Sequence, residues 1–292
     1  NNLDKLPEKV RERIQSSLED FELSRKLVEL NSNVEINIEL KNLVFEGYKP
    51  EVLLETLKKF EFSSIIKELQ LSSSLTDKSQ YNVVRNEKEL EKLLSEIEKA
   101  KKISLDLETT SLDPHTGKIV GISIAIDEGI AYYIPLSHIG GPNIQYEKAK
   151  HFLEIVLNLK NFGGHNIKFD IKFLKKMGVE FPYPSFDTML EAYLLNPNEK
   201  RFNLDDLALK LLGHKMISYE EVVQSSVPLF AGDFSYVPVE AAAKYSCEDT
   251  DMSLRIHNKL YPLIYSYELT ELYEKIELPM VKVLAELELN GV

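Results

Sequence analysis

Asp106 and Glu108 stand on alternate residues of an otherwise apolar run, Ile103-Ser104-Leu105-Asp106-Leu107-Glu108. In a strand, alternate side chains share a face roughly 6.6 Å apart, so both carboxylates project one way while Ile103, Leu105 and Leu107 fill the other side. Like charges on a half-buried strand repel and lose hydration, which a fold avoids unless a cation, a shared proton or solvent relieves the cost. Divalent metal is the relief this pattern favours. The structural alternative is an exposed edge strand with a wet carboxylate face.

Two later segments repeat the anomaly. In His165-Asn166-Ile167-Lys168-Phe169-Asp170, helical spacing predicts Asn166 and Asp170 on one stripe with Phe173, Leu174 and Met177, opposite Lys168, Lys172, Lys175 and Lys176. In a helix expected from about 239 to 260, Tyr245 and Asp249 share a face with Ala242, Met252, Ile256 and Leu260, while Lys244, Asp251 and Arg255 point away. Inward Asn and Asp side chains can also be structural caps or satisfied core acids. Four inward acids from one strand and two helices are hard to stabilise bare, and oxygen-only ligands suit Mg2+ or Mn2+. The chemistry that follows is phosphodiester hydrolysis with paired ions roughly 3.5 to 4 Å apart.

The elements that must carry these residues are legible in outline. Pro7 is placed as a first helical residue, followed by Ile14, Leu18 and Phe21, and a second helical run covers 50 to 60 before Ile65 and Ile66. A serine-rich stretch, 71 to 80, reads as a linker. Beyond it a strand is expected over 81–85, and Asn86 with Glu89 predicts a capped helix carrying Leu90, Leu93, Leu94 and Ile97. The carboxylate strand follows, then strands over 118–126 and 130–136 joined at Asp127-Glu128-Gly129. Helix (144–157), strand (161–164) and helix (166–177) alternate next, and the remainder is helical. The expected class is α/β with a mixed sheet flanked by helices, preceded by an all-α segment.

Composition sets bounds. At 292 residues, 43% hydrophobic and 28% charged, the chain is long enough for about two soluble domains. The single cysteine, Cys247, excludes an internal disulfide and a cysteine-rich zinc site; it is expected to pack, and the location expected is cytoplasmic. No apolar stretch spans a bilayer, so no membrane partner is expected. The six histidines include no pair at metal-ligand spacing. A net charge of −12 opposes broad attraction to nucleic acid but leaves room for metal ions and a local basic strip at a scissile phosphate. Starting at Asn1 and stopping at Val292, the chain is expected to be a piece of something larger.

Leu105-Asp106-Leu107-Glu108-Thr109-Thr110, Asn166 to Asp170 and Tyr245-Ser246-Cys247-Glu248-Asp249 resemble, in order, the three exonuclease motifs of the proofreading domain of bacterial DNA polymerase I, in the subtype with tyrosine in the third motif. The resemblance implies a ribonuclease H-like fold and a 3′-5′ exonuclease that releases nucleoside monophosphates from single-stranded or frayed DNA 3′ ends. It further implies that Asp106, Glu108 and Asp249 hold one ion, that Asp106 with Asp170 through water positions a second, and that Tyr245 orients the attacking water. By the same resemblance Leu112 is a wedge between terminal bases, Tyr219 a stacking platform, Arg201 a phosphate contact, and His165 and Asn166 substrate contacts, with His165 standing where relatives often carry glutamine. The flanks resemble the end of a 5′-nuclease domain (1–70) and the start of the polymerase domain (267–292), which leaves 81–266 as the exonuclease domain of a monomer joined to the rest of a polymerase. The alternatives are a ribonuclease D-like exoribonuclease and a non-catalytic spacer supporting a polymerase.

Overall fold

A computed structural model describes residues 5–31, 33–34, 39, 43–44, 47–60, 62–69, 79–226 and 233–292. The chain divides into two compact units, 1–48 and 49–292. In the first, α1 (Glu8–Ser16) and α2 (Leu18–Val28) bury no residue. Pro7 is the residue before α1 rather than its first, and Ser17 separates Ile14 from Leu18 and Phe21, so the single helical run expected there is two helices. Most of the expected linker, 71–80, lies outside the described residues.

The second unit is built on a six-stranded sheet: β1 (Gln80–Val83), β2 (Lys102–Thr109), β3 (Ile119–Asp127), β4 (Ile130–Pro135), β5 (Asn161–Gly164) and β6 (Phe186–Asp187), in the order β1-β4-β3-β2-β5-β6. β3 runs antiparallel to β2 and β4, whereas β2-β5, β5-β6 and β1-β4 are parallel pairs. The β3–β4 connection is the expected tight hairpin, with Gly129 at φ +79°, a conformation in which a Cβ is strained. Ser104 and Asp106 pair with Ala125 and Ser123 of β3, and Glu108 lies opposite Gly121. A Cβ on Gly121 would fall 2.0 Å from the Tyr133 hydroxyl, so only glycine lets the Tyr133 ring lie beneath the strand at the point where Glu108 emerges.

The period of two on β2 divides the core. Ile103, Leu105 and Leu107 pack with Leu90, Leu93 and Ile97 of α5 (Glu87–Ile97), Phe152, Leu153 and Val156 of α6 (Tyr146–Leu159), and Ile171, Phe173 and Leu174 of α7 (Lys168–Met177). As expected, Asn86 caps α5 by accepting the Glu89 N–H at 3.1 Å. On the other face Val120, Ala125 and Tyr133 pack with Ala242, Ala243 and Cys247 of α11 (Val239–Ser266). Between α7 and α11 in sequence come α8 (Thr188–Leu195), α9 (Leu204–Leu207) continued by a π-turn over Ala208–Leu212, and α10 (Tyr219–Ser226). Before the sheet, α3 (Pro50–Lys59) and α4 (Ser63–Glu68) bury Leu54, Leu57 and Ile66 with Leu209 packed against them. Beyond α11, α12 (Thr270–Leu272) and a π-turn over Tyr273–Glu277 lead into α13 (Leu278–Leu289).

Two expectations need correcting. Asn166 is not on the α7 stripe: it precedes the helix with φ +54°, and α7 begins at Lys168. The lysine side of α7 docks α13, with Lys168 and Lys172 holding Glu288 at 2.5 and 2.7 Å and Lys175 paired with Glu286. On α11, Asp251 does point away from Asp249, yet it is fully buried and bound to the β3–β4 hairpin instead of facing water. Among the described residues no helix is long and apolar enough to cross a membrane.

Candidate active site

β2 and α11 bring three acids together. One carboxylate oxygen each from Asp106, Glu108 and Asp249 lies within 4.8 Å of the others. Alternation on β2 aims Asp106 and Glu108 at the α11 face, and helical spacing places Tyr245 one turn before Asp249. Asp170 comes from the first turn of α7; it is 1% exposed, and its Oδ1 accepts the Leu107 N–H at 3.0 Å, midway between the two β2 acids.

The electrostatics are those of an unrelieved anionic cluster. Burial raises the Asp106 carboxyl to about 6, with the Leu107 amide opposing the shift. Glu108 is pushed well above the carboxylate range by burial and then by Asp106, partly offset by the Ser246 hydroxyl. Asp249 is raised by burial, then by Asp106 and Glu108, and Asp170 by burial, then by Asp106. Glu108 Oε1 is buried and has no hydrogen-bond partner among the described residues. A buried carboxyl oxygen without a partner, inside a ring of acids that burial and mutual repulsion keep from ionising, fits a hard divalent cation, which takes oxygen ligands and favours the ionised form of each.

Around the acids the aromatic side chains form a ladder. Tyr245 is kept protonated by burial and by Asp249, Glu108 and Asp106. Its ring lies 6.0 Å from Phe234, which stacks on Tyr219 at 6.1 Å and 21°. Tyr219 is half exposed, and its hydroxyl is raised by partial burial and then by Glu108. Leu112, 83% exposed, stands in the loop that leaves β2.

The remaining expected residues are more dispersed. His165 sits 2.8 Å from the Thr188 hydroxyl through Nδ1, and burial lowers its pKa to about 4, so the imidazole is neutral. Asn166 gives its N–H to Asp187. Arg201 is exposed on the rim of a cleft of about 410 Å3 with Phe202, Leu207 and Leu260, and none of the four acids lines it. Cys247 is packed in the core and has no part in the acidic face. Three histidines are held by protein groups: His138 by Tyr133 and the Val237 carbonyl, His214 by Glu248, and His257 by Glu191.

Sequence reasoning missed Phe234, Ser246 and Asp187. Phe234 and Ser246 carry no pattern that separates them from core residues. Asp187 does: an aspartate directly before Thr188-Met189-Leu190 is an N-cap signature, and its side chain accepts the Met189 and Leu190 N–H groups.

A family-wide sequence model described as 3′-5′ exonuclease matches residues 81–264. DNA polymerase I of Borreliella burgdorferi is 35% identical over 321 residues, covering 100% of this chain and 34% of that protein. DNA polymerase I of Pseudomonas aeruginosa is 30% identical, covering 99% of this chain and 34% of that protein. The chain thus spans about a third of the length of these curated relatives. A structure of Brucella melitensis NrnC with bound Mg2+ superposes with a TM-score of 0.53 at 18% identity, covering 72% of this chain and 92% of that one. The structural likeness is one of fold, the ribonuclease H-like mixed sheet with flanking helices.

Proposed function

Given that the chain belongs to the 3′-5′ exonuclease family found in DNA polymerase I, we propose that it removes nucleoside monophosphates one at a time from single-stranded or frayed DNA 3′ ends, as the proofreading part of a longer polymerase chain. The observation that carries this reading is the convergence of Asp106, Glu108 and Asp249 within 4.8 Å, with Asp170 bound to the same strand. Asp106, Glu108 and Asp249 would hold one divalent ion, Mg2+ or Mn2+, and Asp106 with Asp170 through water a second. When bound, such ions lower the pKa of an attacking water and stabilise charge on the attacking and leaving oxygens.

The rest of the chemistry belongs to the chain's own groups. Tyr245, protonated and one helical turn from Asp249, has a hydroxyl to orient the attacking water against the scissile phosphate. Tyr219, braced from behind by Phe234, presents a face on which a terminal base stacks without regard to its identity. Leu112, exposed beyond β2, wedges the last base from its neighbour, and Arg201 contacts a phosphate farther along the strand. His165 and Asn166 hold the substrate side of α7. Stacking and wedging tolerate every base, which suits an enzyme that digests any unpaired end.

The test is digestion of matched 5′-labelled DNA and RNA oligonucleotides by the purified 292-residue chain in Mg2+ and in Mn2+. The expected result is a ladder of 3′-shortened DNA that disappears with EDTA. Preference for RNA overturns the substrate assignment in favour of the ribonuclease D-like alternative. Absence of 3′ shortening in either metal overturns the exonuclease role and leaves the non-catalytic spacer.

A further inference from the structure

Asp187 is 2% exposed, lies outside the acid cluster, and makes more hydrogen bonds than a helix cap requires. Its Oδ1 accepts the Met189 and Leu190 N–H groups at 2.9 and 3.3 Å, which caps α8. The same carboxylate also reaches the chain 20 residues upstream, where Oδ1 accepts the Asn166 N–H at 3.2 Å and Oδ2 the Ile167 N–H at 2.9 Å. These bonds fall where α7 needs them, because the residue preceding that helix offers no side-chain cap of its own. They also hold Asn166 at φ +54°, the left-handed region that asparagine tolerates better than most non-glycine residues.

From this point the geometry runs directly to the acids. α7 starts at Lys168, and Asp170 in its first turn accepts the Leu107 N–H between Asp106 and Glu108. Asp187 is fixed from behind in turn: its N–H donates to the Tyr273 hydroxyl at 2.9 Å, and Tyr273 donates to Glu191 at 2.9 Å. His257 Nδ1 lies 2.7 Å from Glu191, and the Lys102 ammonium 2.7 Å from His257 Nε2. A buried polar chain therefore ties β2, α8, α11 and the π-turn before α13 to the residue that starts α7.

We propose that Asp187 is a positioning residue for the exonuclease reaction: by capping α7 and α8 with one carboxylate it sets the place of Asp170 against β2, and so the geometry in which the acids receive a divalent ion. The proposal rests on the exonuclease reading above. A cap that serves stability alone would lower the melting temperature without changing how the folded protein binds metal. A positioning role changes metal affinity and turnover of the folded protein, and substitution of groups that orient metal ligands typically costs about 10- to 100-fold in one or both.

Asp187→Asn and Asp187→Ser separate the two. Serine can still cap α8 but is too short to serve both helix starts, and asparagine turns an N–H donor toward one of the N–H groups the carboxylate accepts. Three quantities are read on the 292-residue chain: melting temperature, Mn2+ affinity by electron paramagnetic resonance, and kcat and KM on a single-stranded DNA oligonucleotide. Asn86→Ala, which uncaps α5 away from the site, is the control for a purely structural loss. Both Asp187 variants are expected to bind Mn2+ about tenfold more weakly and to lose about 10- to 100-fold in kcat, with KM for DNA little changed; Asn86→Ala is expected to change only the melting temperature. Wild-type Mn2+ affinity and kcat in folded Asp187 variants would overturn the proposal. If those variants do not fold, Tyr273→Phe, which removes the buttressing hydroxyl, is expected to shift Mn2+ affinity and kcat in the same direction, and wild-type values there overturn it. A wild-type chain that digests no 3′ end refutes the exonuclease reading and removes the kcat comparison, whereas the Mn2+ measurement still decides whether Asp187 sets the geometry in which the acids receive a divalent ion.

Discussion

Asp249 and Asp251 stand two residues apart on α11 in opposite surroundings. Asp251 is fully buried and saturated: Oδ1 accepts the Gly129 N–H and the Arg255 Nε–H, both at 2.8 Å, and Oδ2 accepts the Tyr81 hydroxyl at 2.8 Å. Neighbouring Glu248 is equally provided for, with His214 at 2.9 Å and the Ile217 N–H at 2.6 Å. Asp249 faces Asp106 and Glu108 instead, and no described residue gives it a hydrogen bond. The difference teaches that burial alone does not mark a working acid. A buried carboxylate whose lone pairs are filled by protein donors is structural, whereas one held among other carboxylates leaves ligand positions for a cation.

Exchanging alanine at the two positions should break the comparison most sharply. Asp249→Ala and Asp106→Ala are expected to abolish 3′-end cleavage while changing stability by less than about 1 kcal/mol, because a repulsive cluster is relieved as a packed side chain is lost. Cleavage at the wild-type rate by either variant counts against the assignment. Asp251→Ala should do the reverse. It leaves Arg255, Tyr81 and the hairpin amide without their shared acceptor, at a cost of about 3–5 kcal/mol by urea unfolding, with specific activity of the folded fraction retained. A small stability change would show that the hairpin and β1 do not depend on that carboxylate.

A smaller effect sharpens the contrast between charged and neutral buried acids. Burial pushes Glu191 from its ordinary 4.5 up to about 8, against the opposing effects of the Tyr273 hydroxyl and Lys102, while burial and Lys102 bring His257 from 6.5 down to about 3. The folded chain keeps the Glu191 proton that the unfolded chain releases, so this contribution to stability is full below pH 4.5 and is lost as pH rises through about 8. The His257 contribution has the opposite sense: it is present above pH 6.5 and declines as pH falls through about 3. Glu191→Gln should therefore flatten the decline in unfolding free energy between pH 4.5 and 8 relative to wild type and leave the acid limb in place. An unchanged slope would show that Glu191 is ionised in the fold.

The sequence was most readable where a short-range rule sufficed. Strict alternation on β2 specified which way Asp106 and Glu108 face, the Asn86-Glu89 pair located the start of α5, and the apolar runs about Gly129 gave the hairpin. It was least readable where a distant group overrides the local pattern. The bonds from Asp187 hold Asn166 in a left-handed turn that 3.6-residue spacing cannot foresee, so the stripe drawn through Asn166 began two residues before the helix. Asp251 and Arg255 were placed away from the Tyr245–Asp249 face, and nothing near them in sequence reveals the hairpin they bind. β6, two residues long, is too short to show any period, and with it Asp187 escaped notice. Of the candidate site, the grouping of Asp106, Glu108 and Asp249 was legible from spacing and motif order together, whereas the ring of Phe234 behind Tyr219 exists only in three dimensions.

Anomalous scattering from crystals soaked in Mn2+ tests the central claim most directly, since it locates ions without reference to activity. The expected result is one strong peak ligated by Asp106, Glu108 and Asp249 and a second, weaker peak between Asp106 and Asp170. Peaks elsewhere with none among these acids, from a protein that nonetheless digests DNA 3′ ends in Mn2+, would contradict it.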